Sequence, residues 1–153
     1  LRARLNPHDL ALPQLDLGHY AQAQRTLAVD DDPTDTELAW RPEQTHPIRA
    51  GWLKAVLDGH GRIASGIDVG APVCVLLSTR TTFSVAWTDE MLRSDTVLDV
   101  DEVARAALKL GSSVTMEWLD GALHDVFLSE RSVRDEAYAR LERWVRGWVA
   151  AGG

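Results

Sequence analysis

The second half of the chain alternates between short apolar runs and amphipathic stripes. Pro72 to Ser78 is a nearly continuous apolar run bounded by Gly70 and by Thr79-Arg80-Thr81-Thr82, which predicts a strand buried on both faces of a parallel sheet. Asp101-Glu102 then leads into Val103, Ala104, Ala107, Leu108 and Leu110, ending at Gly111. Acidic residues in the first turn and glycine at the stop predict a helix. Ser113 to Leu119 has strand propensity and is closed by Asp120-Gly121. From Glu130 to Val149, Val133, Ala137, Leu141, Trp144 and Trp148 recur at three- and four-residue steps, predicting a long amphipathic helix that frays at Gly152-Gly153. Strand, helix, strand, helix is the pattern of an α/β fold with a parallel sheet.

The first half has another texture. Residues 1–70 mix Pro, Asp, His and Leu with no β-branched alternation, and Asp30-Asp31-Asp32-Pro33-Thr34-Asp35 reads as a solvated turn, without the Gly and Glu of a calcium loop. One element stands out: after His46-Pro47, Ile48, Trp52, Ala55 and Val56 fall at helical spacing, and Gly59 and Gly61 are expected to break the helix. The chain therefore divides into a mainly helical segment, 1–70, and an α/β segment, 71–153. No internal repeat is visible.

Composition narrows the function classes. At 153 residues one core is feasible, and 45% hydrophobic with 25% charged residues places the chain among folded globular domains. The net charge of -7 removes a broad basic footprint for nucleic acid. Cys74 is the single cysteine, so no intrachain disulfide or multi-cysteine zinc site can form, and it is expected to be a small buried hydrophobe. His8, His19 and His46 show no metal-ligand spacing. No metal or cofactor is implied. The longest apolar runs fall far short of the roughly 20 residues a membrane-spanning helix needs, and the reading leans to the cytoplasm. Leu1-Arg2-Ala3-Arg4 offers neither Met nor signal peptide, and the chain is expected to be a piece of something longer.

Candidate chemistry sits on the loops beyond the strand ends, where doubly wound sheets gather their functional groups. After Leu119, Asp120-Gly121-Ala122-Leu123-His124-Asp125 puts a histidine on a short turn ahead of the last helix. Such an imidazole suits general-base work, and a catalytic histidine needs an acid to fix its tautomer. Asp95, in Ser94-Asp95-Thr96-Val97-Leu98, is the candidate. Asp99 is the rival, and also fits a helix-start acid. If Asp95 is the partner, the two side chains should lie within about 2.6–3.2 Å.

The run Ala71 to Ser78, the acid in Ser94-Asp95-Thr96-Val97-Leu98, the strand Ser113 to Leu119, the turn Gly121-Ala122-Leu123-His124-Asp125 and the long terminal helix together resemble the C-terminal part of an α/β-hydrolase. The similarity is to its serine aminopeptidase-like or monoacylglycerol-lipase-like branch. It implies a cap segment in the first half, with Leu38-Ala39-Trp40-Arg41-Pro42 and Ile48-Arg49-Ala50-Gly51-Trp52 its best-matching stretches. It further implies His124 and Asp95 as catalytic residues, and a small acyl ester or amide as substrate. The family often carries its acid sooner after the penultimate strand than Asp95 stands here. No Gly-x-Ser-x-Gly elbow occurs in the 153 residues, so the chain alone is expected to be inactive.

Two alternatives stand beside this. One is a non-catalytic α/β interaction module that has lost its nucleophile. The other is a flavodoxin-like binding domain, disfavoured because no glycine-rich phosphate loop follows either strand. Among the remaining motifs, Gly66-Ile67-Asp68-Val69-Gly70 imitates an elbow but follows a helix and opens a strand, the wrong order, and Gly59-His60-Gly61 reads as a helix terminus. Trp144 and Trp148, one helical turn apart, read as core.

Overall fold

The computed structural model describes residues 6–13, 18–27 and 46–152. Within them the protein is a mixed α/β structure with four α-helices and a small parallel sheet of two strands. The elements in chain order are β1 (Leu10–Leu12), α1 (Gly18–Leu27), β2 (Ile48–Arg49), α2 (Ala50–Ala64), β3 (Val73–Ser78), α3 (Val100–Ala107), β4 (Val114–Leu119) and α4 (Arg131–Ala150). Two 3₁₀ turns, Asp89–Arg93 and Val126–Leu128, stand before α3 and α4. The Asp30 to Asp35 turn and the Leu38 to Pro42 stretch lie outside the described residues.

β3 and β4 run parallel in register, from Val73 opposite Val114 to Ser78 opposite Leu119, so both strands end at the same edge. The crossover between them carries α3, whose start is fixed by Asp99: its carboxylate accepts the Asp101 and Glu102 amides at 2.9 and 3.1 Å. This is an N-cap in the usual sense, satisfying two of the amides that the first turn leaves orphaned.

The core lies where the strands end. Leu119, Ala122, Val126 and Ala137 are buried together, with Leu76, Phe127 and Val133 packed against them. Ala137 is fully buried, and its small side chain lets α4 approach closely. Farther along, Arg140 donates to the Trp118 carbonyl at 2.9 Å and Trp144 Nε1 donates to Thr115 Oγ1 at 3.1 Å, so α4 lies antiparallel to β4. Trp148 lies beyond this seam and is largely exposed, unlike Trp144.

Several further local expectations need correction. The helix of the first half begins at Ala50 and runs through Gly59 and Gly61 to Ala64, so Gly59-His60-Gly61 lies inside α2. Each glycine costs only about 1 kcal/mol against alanine, and a Lys54–Asp58 pair one turn apart supports the same stretch. The chain stops a turn later at Ser65, whose hydroxyl donates to the Gly61 carbonyl at 2.9 Å. Ile48 belongs to β2, which pairs antiparallel with β1 and brings Pro7 against Gly51; a Cβ at Gly51 would sit 2.8 Å from the Pro7 Cβ. Trp52 is 57% exposed, off the packed face. β3 is fully buried only at Leu77 and Ser78, and Cys74 is half-buried, because β4 is the only strand paired with β3 among the described residues.

Candidate active site

The acid reaches the strand edge by a return path. Beyond β3 the chain departs after Thr82 and comes back at Asp95, where Asp95 N–H donates to the Arg80 carbonyl at 3.0 Å and Thr82 N–H donates to the Asp95 carbonyl at 2.9 Å. Thr81 completes the join: its hydroxyl donates to the Leu98 carbonyl and accepts from Val100 N–H, at 3.0 and 2.9 Å. The Asp95 side chain is held as tightly as its backbone. Oδ1 accepts the Val97 and Leu98 amides at 2.7 and 2.9 Å, an Asx-type turn, and the residue is only 5% exposed.

The histidine comes off the neighbouring strand. Gly121 turns the chain after β4 at φ +79°, a conformation a side chain would strain. Leu123 N–H then donates to the buried Ser129 hydroxyl at 2.9 Å, pulling the loop closed around His124. Asp125 accepts the Phe127 amide and caps the following 3₁₀ turn. At the outer rim, Asp120 accepts from Thr79 Oγ1 and Arg80 Nη2 at 3.0 and 2.7 Å, tying the two strand exits together.

These paths bring His124 Nδ1 to 2.9 Å from Asp95 Oδ2. The carboxylate can only accept, so Nδ1 carries the proton and donates it, leaving Nε2 as the free basic nitrogen. Among the described residues Nε2 has no hydrogen-bond partner. Burial alone would raise the Asp95 carboxyl, but the His124 bond and the Leu98 and Val97 amides outweigh it and hold the acid below its ordinary range. The Asp95 hydrogen bond raises the His124 imidazole above its usual value against the pull of burial, with the Asp95 and Asp125 charges adding to the rise. Buried acid and half-open base thus favour a paired charge.

Around His124 is an open cleft of about 390 Å³ walled by Tyr20, Leu76, Asp125, Val126 and Phe127. Tyr20 comes from α1 and meets the imidazole edge-on, ring centres 5.8 Å apart at 81°. α1 is seated by buried Ala21 and Ala23, and its His19 Nε2 lies 3.1 Å from the Val85 carbonyl. Burial and then the Asp125 charge push the Tyr20 phenol up to about 12.

Of the residues singled out from sequence, His124 and Asp95 meet, whereas Asp99 is occupied as the α3 cap. Asp99 instead borders a separate cavity of about 740 Å³ between α2 and α3. Tyr20 and Ser129 were not anticipated. No local pattern marks either, since each reaches the histidine turn only through tertiary packing. Among the described residues no group of His, Cys, Asp and Glu is arranged to hold a metal ion, and no helix is long and apolar enough to cross a membrane. Comparison of the chain with known protein families, with curated proteins and with solved structures finds no match.

Proposed function

We propose that His124 and Asp95 are the base and acid of a serine hydrolase of the α/β-hydrolase type, acting on an acyl ester or amide with a nucleophile from outside these 153 residues. The observation that carries this reading is the 2.9 Å bond from His124 Nδ1 to an acid whose other oxygen is held by two amides. That arrangement orients the imidazole and leaves Nε2 open to a cleft. In the reaction Nε2 takes the proton of a serine hydroxyl as it attacks the carbonyl carbon, then returns it to the departing alcohol or amine. Asp95 keeps the tautomer and offsets the charge of the imidazolium. Leu76, Val126 and Phe127 supply an apolar wall suited to an acyl group.

The second reading, a module without catalysis, is favoured by the serines themselves. Ser78, Ser94 and Ser129 are buried, and Ser94 Oγ donates to the Glu90 carbonyl. None of them makes a hydrogen bond to His124 Nε2. One experiment separates the two. The reading frame is extended upstream, and the longer protein is assayed on a p-nitrophenyl ester and with an activity-based phosphonate. Turnover that His124→Ala lowers by several orders of magnitude, with the melt unchanged, supports the hydrolase. Absence of phosphonate labelling, or turnover indifferent to His124→Ala, refutes it in favour of the module.

A further inference from the structure

α1 lies far from the histidine turn in sequence, yet one of its side chains reaches that turn. The Tyr20 ring meets the His124 ring edge-on, ring centres 5.8 Å apart, and lines the same cleft as His124 and Asp125. We propose that Tyr20 is a positioning residue for His124, its ring closing edge-on against the imidazole, so that the Nδ1–H tautomer aimed at Asp95 is the one held.

Three observations support this. The His124 side chain is 34% exposed even with Tyr20 beside it, so the Asp95 bond alone does not enclose the ring. Tyr20 lines the same cleft as His124. Tyr20 is itself fixed, because Ala23 is fully buried one turn along α1 and His19 reaches the Val85 carbonyl and lies 5.9 Å from the Trp87 ring. An edge-on contact between aromatic rings is directional, and a ring that cannot tilt presents one nitrogen to the carboxylate and the other to the cleft. The proposal rests on the hydrolase reading only for its consequence in catalysis; the grip itself belongs to this chain.

The test is the tautomer of His124, read from its imidazole ¹⁵N shifts in dilute, histidine-labelled 153-residue protein at pH 9. The charged and titratable groups facing the ring are Asp95, Asp125 and Tyr20, and at that pH Asp95 is ionised and Tyr20 keeps its proton. Wild type should show the Nδ1–H form. Tyr20→Leu keeps an apolar side chain but removes the ring, and should move the tautomer ratio toward Nε2–H by about two- to tenfold, the scale of one aromatic contact. Tyr20→Phe should stay closer to wild type. His60, on α2, is the control within the same spectrum and should not change. An unchanged ratio in Tyr20→Leu, or no difference between Phe and Leu, overturns the proposal. Neither result depends on a nucleophile, so failure of the hydrolase reading, seen as missing phosphonate labelling, is distinguishable from failure of this one.

Discussion

Asp95→Asn replaces one carboxylate oxygen with an amide nitrogen and leaves the shape almost unchanged, so its effects report the charge and the proton. The remaining oxygen can still accept the Val97 and Leu98 amides, but the new NH₂ faces His124 Nδ1–H, donor against donor. The imidazole must then present a bare Nδ1 and move its proton to Nε2. A hydrogen bond to a charged group contributes about 1.5–3 kcal/mol against about 0.5–1.5 for a neutral one, and three bonds are affected. Neutralising a residue only 5% exposed relieves desolvation in the opposite direction, and water screens the half-open His124. The net loss should be about 1–2 kcal/mol near pH 5.5, a fall in Tm of about 2–8 °C for a chain of this size. The pH dependence follows from the two directions of shift. The depressed Asp95 contributes stability above its unfolded value near 4, lost as pH falls through the folded one. The raised His124 contributes below its unfolded value near 6.5, lost as pH rises through the folded one. The pair therefore stabilises most between about pH 4 and 6.5, and Asp95→Asn should flatten that window. Urea melts of both proteins at pH 5.5 and 9 provide the measurement. Equal stability at pH 5.5, or a variant that keeps the wild-type pH dependence, would refute the reasoning.

Ser129→Ala leaves the buried Leu123 amide without its partner and should cost about 1–3 kcal/mol in urea melts. Asp99→Ala removes the α3 cap and should cost about 0.5–2 kcal/mol, while the ¹⁵N signature of the His124–Asp95 bond stays as in wild type; a change in it would return Asp99 to the site. The β3 edge away from β4 carries backbone groups with no strand partner among the described residues. Self-association that rises with concentration is therefore expected in light scattering, and a monodisperse monomer at high concentration would contradict it.

The two strands and two α-helices of residues 72–150 were legible because each carries a local signal strong enough to decide its type, whereas the 3₁₀ turns at Asp89–Arg93 and Val126–Leu128 carried none. The apolar run at 73–78, the Asp99 cap and the stripe through Val133, Ala137 and Trp144 all speak within a few residues of themselves. The pairing of Asp95 with His124 was legible as chemistry, from an acid and a base each placed on a loop after a strand. Its exactness was not, since the Arg80 and Thr82 bonds that return Asp95 to the strand edge connect residues separated by a long loop. The first half was misread where tertiary contacts decide. β1 and β2 are too short to show alternation, and Ile48 looked helical because the helix begins two residues later. Gly59 and Gly61 resembled a stop although the cost of two glycines is small beside the cooperativity of a helix already formed. Tyr20 had no signal at all, because its place beside His124 comes from where α1 is seated.

The join at Asp95 separates two things that most loops couple. Because Asp95 N–H and C=O bond to Arg80 and Thr82, and Thr81 spans to Leu98 and Val100, the stretch from 83 to 94 leaves and re-enters the fold at one point. Its length is then a free parameter: residues could be added or removed at its exposed tip around Phe83 and Val85 while the carboxylate stays where His124 needs it. That same stretch is the seat of α1, through Val85 and Trp87. Variation in it would move the wall that carries Tyr20 and leave the acid fixed, so the cleft can be reshaped without disturbing the His124–Asp95 bond beneath.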